Sequence, residues 1–297
     1  MKKEDLKIYN ADAISKMREL PDNSVDLVLC DPPYGTTSIN WDSVIPFDDV
    51  WEELERITKD GSNIIFFGSQ PFTSKLICSK EKWFKYEIVW NKNKCGSPGL
   101  AKIRPLKVHE NILVFTKDGK RAKYNPIMEV GDPYERKCST EEGYGSGRNT
   151  HGYGFGNKEK NKVMQLSNSG TRYPKSILHA SRNFSAQQTV HPTQKPTNVL
   201  NWLIMTYSDP DDVVLDFTMG SGSTGVSCKM TGRKFVGIEK DENYFNVAKD
   251  RIENCVTLVE RDDHQLTTQI HKEMKTTPDK KHEKEYYDKL QEKGARC

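Results

Sequence analysis

Asp31-Pro32-Pro33-Tyr34 follows the apolar run Val25-Asp26-Leu27-Val28-Leu29-Cys30. Two successive prolines fix two φ angles and remove two N–H donors, so this turn is stiff and rich in acceptors. The Asp31 carboxylate and the Pro32 carbonyl suit a group that donates two N–H bonds, such as an exocyclic amine. The Tyr34 ring can stack on a planar base. The same tetrapeptide also fits a rigid turn whose aspartate caps a local N–H. A second segment, Gly220-Ser221-Gly222-Ser223-Thr224-Gly225, lies between an expected strand and an expected helix. Glycines there let the backbone turn tightly and approach a ligand, while the helix N-terminus offers free N–H groups. Asp216, just before the loop, favours a ligand with a positively charged end. Glu239, at the end of the next expected strand, can accept hydrogen bonds from ribose hydroxyls. Read literally the loop is G-x-G-x-x-G, which serves NAD, FAD and S-adenosylmethionine alike.

The elements that must carry these residues alternate between strand and helix. Strands are expected at 6–9, 25–30, 63–67, 86–90, 108–116, 213–216 and 235–239. Helices are expected at 13–20, 47–58, 71–78, 197–207, 223–230 and 242–254. Strands separated by helices imply βαβ units and a mostly parallel sheet. Ligands of open α/β sheets lie beyond the carboxyl ends of the strands, so Asp31 and Tyr34 should face the same cleft as the glycine loop. Trp41, Trp51 and Trp202 read as core or groove aromatics. The stretch from Gly143 to Gly156 holds six glycines in fourteen residues, interleaved with aromatics, and cannot build a packed core by itself.

Charge is placed unevenly along the 297 residues. Positions 91–197 carry 19 Lys+Arg and 8 Asp+Glu, a net of +11, and the remainder carries 26 and 34, a net of −8. A basic middle in an acidic frame is the footprint of a polyanion-binding region, most often nucleic acid, although loops are also simply rich in lysine. The longest apolar runs, such as Ile64-Ile65-Phe66-Phe67, fall far short of a membrane span, and the first residues show no signal peptide. Seven cysteines without Cys-x-x-Cys spacing argue against a disulfide framework or a zinc cluster and for a reducing cytoplasm. His191 reads as a loop-fixing residue in a His-Pro turn, and no metal site is expected.

Four motifs occur in a fixed order: Asp31-Pro32-Pro33-Tyr34, His191-Pro192-Thr193-Gln194-Lys195-Pro196, Asp216 with Gly220-Ser221-Gly222, and Gly237-Ile238-Glu239. Together they resemble the β group of DNA amino-methyltransferases, in which the catalytic motif precedes the cofactor loop. The likeness spans about residues 6–254. It implies a Rossmann-like, circularly permuted α/β fold with a mostly parallel seven-stranded sheet and an inserted target-recognition region. It divides the chain into a catalytic half at 1–92, a basic DNA-binding region at 93–190, a cofactor-binding half at 191–258 and a charged tail at 259–297.

The resemblance further implies S-adenosylmethionine as methyl donor and double-stranded DNA as substrate, with methylation of adenine N6 or cytosine N4. Aspartate before Pro-Pro-Tyr leans toward adenine. Asp31, Pro32, Pro33 and Tyr34 are then catalytic. Asp12, Ala13, Asp31, Thr193, Lys195, Asp216, Thr218, Gly220, Ser221, Gly222, Ser223, Thr224, Glu239 and Lys240 are expected to bind the cofactor, with Asp12 and Ala13 near its adenine and Thr193 and Lys195 near its carboxylate. Many members carry Asp-Pro-Phe before the glycine loop, whereas this chain reads Asp216-Phe217-Thr218. A Thr218 hydroxyl could hydrogen-bond the methionine end of the cofactor. Family members often form dimers and can act beside a partner restriction endonuclease, on the nucleoid in the cytoplasm. The rival readings are an NAD-linked oxidoreductase, which leaves the Asp-Pro-Pro-Tyr turn and the basic middle unexplained, and a non-catalytic DNA-binding protein.

Overall fold

The computed structural model describes residues 5–35, 43–92, 95–96, 98–117, 122–130, 133–138, 164–168, 170–180 and 194–255. His191, Pro192, Thr193, Trp41, the glycine-rich stretch 143–156 and the tail 259–297 lie outside the described residues. Two compact units divide the chain: Met128–Pro174 forms one and the rest of the chain the other.

The larger unit is built on one sheet. Its strands are β1 (Leu6–Asn10), β2 (Val25–Cys30), β3 (Thr58–Gly68), β4 (Phe84–Asn91), β5 (His109–Thr116), β10 (Ile177–His179), β11 (Val213–Asp216) and β12 (Lys234–Glu239). Their spatial order is β1-β12-β11-β2-β3-β5-β4-β10. All pairs are parallel except β3 with β5 and β5 with β4. The sheet therefore has eight strands where seven were expected. The additional strand, β10, is only three residues long. It is held at the edge by backbone pairing to Val89–Asn91 and by the Trp90 indole, which donates to the Ala180 carbonyl at 2.9 Å.

Helices cover both faces because consecutive residues of the buried strands point to opposite sides. Val28, Cys30, Ile64 and Phe66 meet α1 (Ala13–Met17), α2 (Phe47–Ile57) and α3 (Phe72–Ser79) on one face. Leu27, Leu29, Ile65 and Phe67 meet α4 (Thr197–Tyr207), α5 (Ser223–Thr231) and α6 (Glu242–Asn254) on the other. The first face is rich in aromatics. Trp51, 3% exposed, packs its ring 5.2 Å from Phe115, 5.7 Å from Phe66 and 6.1 Å from Trp83, and its indole N–H donates to Ser79 Oγ at 2.8 Å. Trp202 is likewise buried, so both are core residues.

Helix α1 stops at Met17, short of the expected Leu20. The Glu19 and Leu20 N–H groups turn back to the Lys16 and Met17 carbonyls, which tightens the chain ahead of Pro21. Strand β3 begins five residues before the expected Asn63. Thr58 pairs with Val25, and the Ser62 hydroxyl donates to the Val25 carbonyl at 3.0 Å.

The smaller unit holds two antiparallel ribbons. One pairs β6 (Glu129–Val130) with β9 (Thr171–Arg172), and the other pairs β7 (Tyr134–Cys138) with β8 (Met164–Asn168). No strand was expected over these residues.

Replacing Trp51 by Ala removes the centre of the aromatic face and leaves a large cavity. The expected cost is about 3–5 kcal/mol of unfolding free energy, read by chemical denaturation. A loss below about 1 kcal/mol would show that the face repacks around the gap.

Candidate active site

Two motif-bearing strands lie side by side. Val214 and Leu215 of β11 pair in parallel with Leu27 and Val28 of β2. From β11 the order runs one way through β12 to β1 and the other way through β2 to β3. Such a reversal point opens a crevice at the carboxyl ends of the strands. Both the Asp31 turn and the glycine loop leave the sheet there.

Thr218 ties the two loops together. Its hydroxyl donates to the Asp31 carbonyl at 3.2 Å, and Cys30 Sγ lies 3.0 Å from the Thr218 hydroxyl oxygen. The sequence reading offered this hydroxyl to a cofactor, whereas here it links the ends of β2 and β11. Asp216 is buried beneath the glycine loop. Its carboxylate accepts from the Thr224 hydroxyl at 2.6 Å and from the Thr218 N–H at 3.2 Å.

The glycine loop is shaped by two left-handed positions. Gly222 precedes α5 at φ 76°, and a Cβ there would fall 2.8 Å from Ala248 Cβ, so a side chain would collide with α6. Gly220, at φ 51°, has open space where its Cβ would stand. Its N–H donates to Glu239 Oε2 at 2.9 Å, and the Asp241 N–H donates to Glu239 Oε1 at 2.8 Å. Each oxygen keeps a second lone pair for another donor. Ser221 and Ser223 face inward: Arg251 of α6 donates to the Ser221 hydroxyl at 2.8 Å, to the Ser221 carbonyl, and to the Ser223 hydroxyl at 3.3 Å. Arg251 was not singled out from sequence, where it is one charged residue on an amphipathic helix.

Strand β1 brings Asp12 and Ala13 to the same edge. The Ala11 N–H donates to the Glu239 carbonyl at 3.0 Å. Asp12 caps α1 by accepting from the Ser15 N–H at 3.2 Å, and Lys240 Nζ lies 3.8 Å from its other oxygen. Ala13 is the first residue of α1. Asp12, Asp216, Gly220, Glu239 and Lys240 therefore lie along the ends of three neighbouring strands.

Around Asp31 the structure adds groups that sequence reasoning did not connect. The Tyr34 hydroxyl donates to Asp31 Oδ1, and the Lys195 ammonium donates to Asp31 Oδ2. Lys195, 7% exposed, also lies 3.4 Å from Glu110 Oε2 and 5.0 Å from the centre of the Phe67 ring. Lys92 donates to Glu110 Oε1 at 2.9 Å. The resemblance assigns Lys195 to a cofactor carboxylate; in the structure its ammonium sits on Asp31. Glu110 and Lys92 were missed. The available signal was a glutamate near the start of β5, just ahead of the apolar run Ile112-Leu113-Val114-Phe115. Tyr34 stacks obliquely against Phe72 at 5.1 Å, which holds its ring beside the turn. Burial first, then the Asp31 charge, pushes the Tyr34 phenol well above its ordinary range and keeps it a proton donor.

The family model described as DNA methylase, for N6 and N4 methylation, matches residues 25–250. The chain belongs to this DNA methylase family. Type II methyltransferase M1.MboII of Moraxella bovis is 32% identical over 265 residues, covering 82% of this chain and 94% of that protein. DNA adenine methyltransferase YhdJ of Escherichia coli (strain K12) is 29% identical over 259 residues, covering 83% and 82%. Among solved structures, the M1.HpyAVI–SAM complex aligns with a TM-score of 0.56 at 22% identity, covering 83% of this chain and 98% of that one. The PvuII cytosine-N4-specific DNA methyltransferase aligns with a TM-score of 0.59 at 15% identity, covering 90% and 93%. These two structural likenesses support the fold: α/β with a mainly parallel sheet. Among the described residues of this DNA methylase, no helix is long and apolar enough to cross a membrane.

S-adenosylmethionine is the cofactor of the family, and the residues present fit it. The open side of Gly220 lets backbone approach a ligand closely, Glu239 offers acceptors for hydroxyls, and Asp216 sets a carboxyl group beneath the loop. Burial raises Glu239 above the ordinary glutamate range and pushes Asp216 up to about 7.

The raised Asp216 pKa has a definite sign. The folded state holds this proton more tightly than the unfolded state, so the group's contribution to stability is fully present below about pH 4 and is lost as pH rises to about 7. A shift of roughly three pH units corresponds to about 4 kcal/mol. Asp216→Asn should therefore flatten the decline in stability across that window relative to wild type. Thermal unfolding of both proteins at several pH values tests this, and parallel curves would show that Asp216 does not titrate there.

Proposed function

We propose that this protein transfers a methyl group from S-adenosylmethionine to N6 of adenine in duplex DNA, with the Asp31 turn holding the target amine. The observation that carries the reading is the adjacency of β2 and β11, which sets the Asp-Pro-Pro-Tyr turn against the glycine loop. The name of YhdJ as a DNA adenine methyltransferase supports adenine, and the DNA methylase family model supports the reaction.

The lone pair of an adenine N6 is delocalised into the ring, which makes the amine a poor nucleophile. Asp31 and the Pro32 carbonyl accept its two N–H bonds and favour a pyramidal nitrogen, which restores the lone pair. A carboxylate is a weak base, so Asp31 acts mainly by positioning and electrostatics. The cofactor, when bound, supplies an electrophilic methyl group. Asp12, Ala13, Asp216, Gly220, Ser221, Gly222, Ser223, Thr224, Glu239 and Lys240 would hold it. Glu239 would take the ribose hydroxyls, and Asp216 would favour the cationic end. Thr218 fixes the distance between the two loops. Thr193 joins the cofactor set on resemblance alone.

N6 is out of reach inside a duplex, so the base must leave the stack at a cost of a few kcal/mol, offset by stacking on Tyr34. The basic segment 91–197 would supply phosphate contacts, whose contribution falls steeply with salt. A partner endonuclease is in keeping with the type II names of M1.MboII and of M.HpaI from Haemophilus parainfluenzae. A homodimer and a place on the bacterial nucleoid belong to the same proposal.

The test is transfer from labelled S-adenosylmethionine to unmethylated genomic DNA, followed by nucleoside digestion and mass spectrometry. N6-methyladenine is expected, and N4-methylcytosine would reverse the base assignment. Asp31→Ala should lower transfer by at least about 100-fold while the cofactor still binds by calorimetry. An active Asp31→Ala enzyme would remove Asp31 from its role. Glu239→Ala should weaken cofactor binding by about tenfold or more, the equivalent of a lost charge-assisted hydrogen bond. An unchanged dissociation constant would sink the ribose assignment.

A further inference from the structure

Glu110 takes no part in the roles proposed above, yet it stands one residue from the catalytic cluster. It is buried at the start of β5, which runs antiparallel to β3, so its end of the strand lies at the carboxyl ends of β2 and β3. Four charged groups form an alternating chain there: Asp31, Lys195, Glu110 and Lys92. Lys195 is shared between two carboxylates. Phe67 beneath it excludes solvent from one side.

We propose that Glu110 is a positioning residue for methyl transfer that acts through Lys195 on Asp31. The inference rests on the assignment of Asp31 as the group that holds the target amine. The N6 lone pair bonds to the methyl carbon while the carbon–sulfur bond breaks and its electron pair stays on sulfur; the nitrogen then carries positive charge until its proton passes to water. An ammonium on Asp31 opposes that charge unless it is neutralised in turn. Glu110 supplies the neutralising charge, and its pull on Nζ fixes the direction in which Asp31 Oδ2 is held. In a buried site with little water such charges act strongly on one another.

Glu110→Gln preserves shape and removes the charge. The expected result is a kcat lower by about 100-fold, with the dissociation constant for S-adenosylmethionine and the KM for genomic DNA each within about threefold of wild type. Adding Lys195→Met to Glu110→Gln takes away from Asp31 the ammonium that Glu110 no longer balances and should recover about tenfold of the lost rate. A merely structural role would not produce that recovery. A kcat near wild type in Glu110→Gln overturns the proposal, and so does a double variant no faster than Glu110→Gln. Should Glu110→Gln fail to fold by circular dichroism, Glu110→Asp decides. It keeps the charge but withdraws it by one methylene, and kcat should fall about tenfold at unchanged cofactor affinity; a wild-type kcat overturns the proposal. Asp31→Ala separates the two levels. If it is inactive while Glu110→Gln is fully active, only the Glu110 inference fails. If Asp31→Ala is itself active, the underlying assignment fails.

Discussion

Two residues of β11, Val214 and Leu215, pair with two residues of β2, Leu27 and Val28, and the rest of the site depends on that short parallel ladder. It joins segments almost two hundred residues apart and puts the Asp31 turn next to the glycine loop. Thr218 adds a link from the hydroxyl to the Asp31 carbonyl, so the loops are fixed to each other as well as to their strands. Parallel strands place every following loop at the same edge, which is why Asp12 at the end of β1 and Glu239 at the end of β12 also arrive there.

The antiparallel strand β5 plays a complementary part. A parallel strand in its place would present its carboxyl end to the crevice. Because β5 runs the other way, its first residues stand there, and Glu110 enters the cluster from the beginning of a strand. The resulting row of carboxylates and ammonium groups is costly to bury unless each charge is paired. Lys195 between Asp31 and Glu110, and Lys92 beyond, meet that requirement. Arg251 does comparable work on the other side, where it fastens the glycine loop to α6 through Ser221 and Ser223.

Much of the fold was legible in the sequence because the buried strands are continuous apolar runs and the helices carry apolar faces. Val25–Cys30, Thr197–Tyr207, Val213–Asp216 and Glu242–Asn254 form over the spans the pattern predicts. The short strands β6 to β10 were not legible. Unlike the equally short Val213–Asp216, none of them is a run of apolar residues long enough to stand out, and their pairing comes from partners elsewhere in the chain. The motif residues were legible as types. Their protein partners were not: no spacing links Lys195 to Asp31, on which its ammonium sits.

The sequence by itself determined the chemistry on offer: a stiff acceptor-rich turn, a glycine loop with Asp216 and Glu239 around it, and a basic middle. These follow from local covalent constraints, since proline removes donors and glycine permits left-handed backbone wherever they occur. Tertiary structure decided which groups meet. The β2–β11 pairing set the turn against the loop, Thr218 was spent on joining them, and Glu110 was drawn to Asp31 through Lys195. Those outcomes depend on strand order and direction, and on how buried charges find partners. They are long-range properties, which no spacing along the chain encodes.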